Sequence, residues 1–144
     1  VTAPDRDVHV TVRSDPKLLA SIRSLVRGWV ESWEVDSRTA DDVVLAVDEA
    51  CTNAIRHAYG GRRDGCVELT LRAESDYLEF QVSDQGLPCP PERATRRELR
   101  PPNIDDLQPG GLGIQLIHEV FDEVDFCPGE GGGNCVTMKL KRPK

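Results

Sequence analysis

No run in this sequence approaches the roughly 20 consecutive apolar residues that a membrane-spanning helix needs. The opening stretch VTAPDRDVHV also lacks the apolar centre of a signal peptide. A soluble, cytoplasmic protein with no membrane partner is the expectation. No C-x-x-C pair occurs. Cys51, Cys66, Cys89, Cys127 and Cys135 are odd in number and widely spread, which argues against a disulfide framework and against a zinc pattern and leaves free thiols. His9, His57 and His118 stand far apart without H-x-x-x-H spacing, so a metal held by protein ligands alone is not indicated. Positive charge is sparse too: the formal net charge is −7 and no Lys/Arg block exceeds a pair. The basic footprint that a phosphate backbone requires is missing, and nucleic acid is not an expected partner.

What is present is material for one domain. With 144 residues, 38% hydrophobic and 30% charged, the chain can build one real core and predicts a single unit over residues 1–144. Val8, Val10 and Val12 alternate with polar residues and predict a half-buried strand. Ser14 or Asp15 can then cap a helix with Pro16 at its first position. Leu18, Leu19, Ile22, Leu25, Val26, Trp29 and Val30 carry its apolar face toward an end near Trp33, with the two tryptophans assigned to the core and a dimer or partner surface as the alternative. A second helix is expected from Ser37 as cap, with Asp41 and Asp42 in or near the first turn, to about Ala58, where YGG stops it.

Two alternating segments, CVELTLRAE and YLEFQVSD, follow and read as a hairpin. From Gln85 to Gly110 the pattern dissolves into a segment holding six of the ten prolines, and so long a loop inside a compact domain is usually functional. GGLGIQLIHEVF opens with glycines and continues at helical spacing, and the remainder reads as strand, glycine turn, strand. The order β-α-α-β-β-loop-α-β-β predicts an α+β fold: a two-layer sandwich with a mixed sheet covered on one face by helices.

The segment DEACTNAIRHAYG, residues 48–60, places polar side chains where a core stripe would run. Glu49, Asn53 and His57 are four apart and share one side of a helix below Leu45, with Asp48, Thr52 and Arg56 widening the polar strip. Spacing alone fits a solvated face as well as a site. Downstream, Asp84 ends a strand and precedes Gly86, an arrangement that suits either a carboxylate held for one directed hydrogen bond or a plain turn. Gly110, Gly111 and Gly113 at a helix start would let backbone amides approach an anion.

Taken in order, EACTNAIRHAYG, DQG and GGLGI resemble the N, G1 and G2 boxes of the nucleotide-binding fold shared by gyrase, Hsp90, histidine kinases and the MutL proteins. LAVDEACTNAIRHAYG and GGNCVTMKLKR look most like the anti-sigma-factor serine/threonine kinases of that superfamily, and the likeness runs from Val8 to Lys141. The resemblance implies a Bergerat-type ATP-binding fold that uses ATP and Mg2+. It implies Glu49 as general base and Asn53 as the Mg2+ ligand. Arg56 falls where related ATPases place a basic residue near phosphate, although a surface salt bridge suits it as well. His57 follows the family pattern and reads as a packed or capping histidine.

Asp84 would accept a hydrogen bond from the adenine amine, Gly86 would give the base room, and Thr137 matches a threonine near the adenine, with an ordinary strand residue as the alternative. Gly111, Leu112, Gly113 and Ile114 would set amides against the phosphates, and residues 87–110 would form the lid. The family pattern D-x-G-x-G is here DQGLP: Pro88 replaces the second glycine and removes a backbone N–H. The implied activity is phosphorylation of a STAS-type anti-anti-sigma protein together with sequestration of a sigma factor, by a homodimer. The alternatives are a nucleotide-binding or degenerate interaction module without phosphoryl transfer and, third, the ATPase part of a histidine kinase.

Overall fold

A computed structural model describes residues 7–60, 62–86, 111–128 and 133–142. Strand β1 (Val8–Arg13) alternates half-buried valines with exposed polar residues, as its sequence period requires. The Asp15 side chain accepts from the Lys17 amide at 3.0 Å and caps a 3₁₀ turn, Pro16–Leu18, that leads into helix α1 (Leu19–Glu31). Helix α2 (Ser37–Asn53) is capped one residue earlier than expected. The Asp36 carboxylate, not the Ser37 hydroxyl, accepts from the Thr39 amide at 2.8 Å, and the first turn holds no acidic residue, so Asp41 and Asp42 fall beyond it. The helix then continues as a π turn, Ala54–Ala58.

Strands β2 (Cys66–Ala73) and β3 (Tyr77–Asp84) form the expected hairpin. After them come helix α3 (Gly111–Val120), strand β4 (Glu123–Pro128) and strand β5 (Asn134–Lys141). The five strands lie in the order β1-β2-β3-β5-β4. The α+β sandwich stands, but every pairing is antiparallel, so the sheet is not mixed. Topology supplies the reason: β3 and β4 run the same way, yet the β4–β5 hairpin inserts β5 between them, and the two parallel strands never touch.

The alternation of each strand sends Leu69, Leu71, Leu78, Phe80, Val82, Val136 and Met138 to one face, where they meet Ile22, Val26, Trp29, Val43, Val47 and Ile117. Trp29 sits edge-on to Phe80 at 5.5 Å between ring centroids, so the tryptophan serves the core as the helical pattern implied. The opposite face carries His9, Thr11, Glu68, Thr70 and Gln81, none of them buried. Of the described cysteines, Cys51, Cys66, Cys127 and Cys135 are free thiols, and burial pushes the Cys51 thiol up to about 12. Among the described residues, no helix is long and apolar enough to cross a membrane.

Candidate functional site

The core stripe of α2 is Ala40, Val43, Val44, Ala46, Val47, Ala50 and Cys51, and the polar strip flanks it. Leu45, at the head of that strip, is 49% exposed, whereas Glu49 and Asn53 are half-buried. The apolar line expected below Glu49 is therefore not a core line. Asp48 turns away toward α1, where Arg23 Nη1 donates to its Oδ1 at 3.1 Å. Glu49 and Asn53, four apart on a regular α-helix, remain as one polar edge. Beyond Asn53 the π turn bonds i to i+5, the Tyr59 amide donating to the Ala54 carbonyl, so the four-residue spacing stops at Asn53. Arg56 lies in that turn, exposed. The reading of the His57 side chain falls outside the described residues.

Burial raises the Glu49 pKa, the neighbouring Asp48 charge raises it further, and the Arg56 charge opposes both. A carboxyl poised above its ordinary range is a fitting proton acceptor. Its place is fixed by α3: a Cβ on Gly113 would collide with Glu49 Oε2 and lie 3.1 Å from its Cδ. Gly113 thus lets the start of α3 close onto the carboxylate, and Ile114, 4% exposed, anchors the same turn in the apolar interior. Gly111 opens this helix and Leu112 follows it, so the glycine-rich motif does supply a helix N-terminus.

Asn53 Oδ1 is buried and has no hydrogen-bond partner among the described residues. A buried acceptor left unpaired costs about 1–3 kcal/mol, and native proteins keep few of them. A neutral amide oxygen held beside a carboxylate suits a hard cation such as Mg2+.

Asp84 ends β3, is 5% exposed, and accepts at Oδ1 from the Gly86 amide at 2.9 Å and from Asn134 Nδ2 at 3.0 Å. Burial pushes its carboxyl up, while the hydrogen bonds from Asn134 and Gly86 hold it down. The DQG segment is therefore a turn and a rigidly held carboxylate at once. Gly133 makes this possible: its φ is +78°, and a Cβ there would stand 2.6 Å from Gln85 Cα.

Thr137 is not brought to this place. It pairs with Gln81 on β3, whose side chain donates to Cys135 Sγ at 3.0 Å, and these residues share the sheet face away from the helices. Asn134, three residues earlier and on the helix-covered side, occupies the position beside Asp84 instead. Strand alternation decides the matter, since residues an odd number apart face opposite ways. The sequence reading passed over Asn134 and took Tyr59 for a helix stop. Both become visible only once β5 is laid against β3, although the end-to-end match of two eight-residue strands was a usable hint. The expected lid, 87–110, and Pro88 within it lie outside the described residues.

Three motifs thus converge: Glu49 and Asn53 on α2, the α3 start against Glu49, and the Asp84 turn tied to the end of α2 through Tyr59, whose hydroxyl accepts from the Gln85 amide at 2.8 Å. Residues 12–140 match the family model of the histidine kinase-like ATPase domain. The chain belongs to that family.

This ATPase domain is 33% identical over 134 residues to the serine-protein kinase RsbW of Bacillus licheniformis (strain ATCC 14580), covering 90% of this chain and 83% of that one. It is 31% identical over 139 residues to the RsbW of Halalkalibacterium halodurans, with coverages of 94% and 84%. In fold it is similar to the crystal structure of the RsbU and RsbW domains of Rv1364c from Mycobacterium tuberculosis, at TM-score 0.62 and 19% identity over 95% of this chain and 32% of that one. It is similar also to the mycobacterial sensor histidine kinase MprB, at TM-score 0.50 and 18% identity, covering 95% of this chain and 100% of that one. The resemblance read from the three motifs is borne out at the level of the family and of its serine-kinase relatives.

Proposed function

We propose that this domain is an ATP- and Mg2+-dependent serine/threonine protein kinase that acts as an anti-sigma factor. In this reading it phosphorylates a Ser or Thr of a STAS-type anti-anti-sigma partner, sequesters a sigma factor when that partner is absent, and works in the cytoplasm as a homodimer. The observation that carries the reading is the pairing of Glu49 with the buried Asn53 Oδ1, which has no hydrogen-bond partner among the described residues, on one edge of α2. Adenine binding alone needs neither group, and phosphoryl transfer needs both. The relatives named serine-protein kinase RsbW support the same class of activity.

The chemistry assigns each group a task. Glu49 takes the proton of the partner's hydroxyl as that oxygen bonds to the γ-phosphorus and the bond to the β–γ bridging oxygen breaks. Asn53 would hold Mg2+, which when bound neutralises charge on the phosphate oxygens. The start of α3, from Gly111 through Ile114, offers first-turn amides, which have no partner within the helix, and the positive end of the helix dipole to those phosphates, and Arg56 adds a fixed charge at the rim. Asp84 accepts from the adenine amine. A guanine carbonyl in its place would face another acceptor, so ATP is chosen over GTP.

A second reading, a module that binds nucleotide or protein without transfer, is favoured by one feature: Pro88 in DQGLP, where the family pattern has glycine. Thermal melts separate the two. Mg-ATP at about a hundred times its dissociation constant should add about 2.7 kcal/mol, a shift of several degrees for a domain of this size. Mg-GTP should not match it, Asn53→Ala should lose it, and a radiolabelled γ-phosphate should reach Ser or Thr of a STAS-type protein. A shift without transfer would favour the module, and no shift at millimolar ATP would remove the nucleotide reading altogether.

A further inference from the structure

Tyr59 is the first residue of the YGG that stops α2, and it is 6% exposed with a hydroxyl that bridges two other elements. The hydroxyl donates to the Cys66 carbonyl at 2.6 Å, at the start of β2, and accepts from the Gln85 amide at 2.8 Å, in the middle of the Asp84–Gly86 turn. Its ring is seated by design of the backbone around it. A Cβ on Gly65 would lie 2.6 Å from Tyr59 Cζ, so only glycine leaves the ring its place. The loop that brings Gly65 there is pinned in turn by Ser14, which is fully buried. Ser14 Oγ donates to the Arg62 carbonyl and accepts from the Gly65 amide at 3.0 Å, and the Ser14 amide donates to the Gly65 carbonyl at 2.9 Å. On the other side of the turn, Asn134 and the Gly86 amide hold Asp84 Oδ1.

The geometry points to Tyr59 as a positioning residue for nucleobase selection, one that ties the turn carrying Asp84 to the end of the helix carrying Glu49 and Asn53. This rests on the nucleotide-site reading above. The physical reason is that an acceptor discriminates between bases only if it cannot swing or retreat. The Asp84 backbone lies in the ladder between Val67 and Asn134, but Gln85 and Gly86, whose amide holds Asp84 Oδ1, lie beyond the strand end with no strand partners to fix them. The Gln85 amide ties this turn to a different element, and the anchor is the hydroxyl of an aromatic ring buried in a fitted seat. The same bond connects the Asp84 turn to the helix that carries Glu49 and Asn53, because Tyr59 directly follows the π turn that begins after Asn53.

The test uses four proteins, wild type, Tyr59→Phe, Asp84→Asn and the double variant, each titrated with Mg-ATP and Mg-GTP. Amide exchange at Gln85 and Gly86 is measured alongside without nucleotide. The phenylalanine keeps the ring and loses only the hydroxyl. It should weaken Mg-ATP binding about tenfold, equivalent to roughly 1.4 kcal/mol, raise KM while leaving kcat nearly unchanged, and speed exchange at Gln85. The double variant should bind no more weakly than Asp84→Asn alone, since both changes act on one contact. Gly65→Ala, which crowds the ring from the other side, should shift affinity in the same direction and stands in if Tyr59→Phe does not fold. A variant that melts earlier but binds Mg-ATP as wild type does, with Gln85 exchange unchanged, would overturn the positioning role and leave the kinase reading intact. A wild type that binds neither nucleotide would overturn both.

Discussion

Glu49 meets opposed demands. Its charge is penalised by burial and by Asp48 beside it and relieved, among the described residues, by Arg56, yet a general base, the role proposed for it, must be ionised to act. Activity should therefore fall on the acid side at a higher pH than an ordinary glutamate would give. In the proposed kinase the acid limb of kcat/KM reports this group before substrate binds, and Arg56→Ala should move that limb further up, because it removes a charge that lowers the pKa. Glu49→Gln should cost phosphoryl transfer about 10²–10⁴-fold while Mg-ATP still binds, a separation that single-turnover transfer and a nucleotide titration would read. Gly113, against which the carboxylate rests, was legible only as part of a glycine-rich helix start. Its reason for lacking a side chain is a contact between two helices distant in sequence.

At the scale of elements, one strand carries both a correction and a forecast. In β5, Asn134 and Thr137 fall on opposite faces of the sheet, Asn134 bonded to Asp84 and Thr137 paired with Gln81. Asn134→Ala should weaken Mg-ATP binding several-fold by freeing Asp84 Oδ1 from one of its donors, whereas Thr137→Ala should leave affinity within about twofold. Equal effects from the two would mean that the base does not sit on the helix-covered face. Helix α2 shows a related limit of local reading. Its apolar period and its stop before the glycines were plain in the sequence, but the change to i→i+5 bonding after Asn53 was not. A π turn is a rare departure with no composition of its own, sustained by what it brings into place, here Tyr59 against Cys66 and Gln85.

For the molecule as a whole, two buried-side carboxylates work against stability at neutral pH. Both Glu49 and Asp84 have folded-state pKa values raised above their ordinary 4.5 and 3.8, desolvation being the largest cause in each. Above those ordinary values the folded state keeps protons that the unfolded chain has lost, so stability falls as pH rises through the raised values. Asp36 has the opposite sign: the Thr39 amide and hydroxyl lower its pKa, and its contribution is lost only as pH falls below the ordinary value of 3.8. Denaturant melts should thus find Glu49→Gln equal to wild type near about pH 4 and more stable near about pH 7.5. A variant less stable than wild type at the higher pH would mean that the carboxylate is stabilised where it sits.

The period of the valines and leucines, the turns and the three ordered motifs were properties of neighbouring residues, and the sequence by itself determined from them each strand and α-helix, the α+β class and the family. Pairing decided the rest. That the described strands pair antiparallel throughout, that Asn134 rather than Thr137 meets Asp84, that Gly113 seats Glu49 and that Tyr59 bonds the turn after Asp84 all depend on which strand lies beside which and how closely two backbones approach. Such contacts join residues dozens of positions apart, and no local period or propensity encodes them.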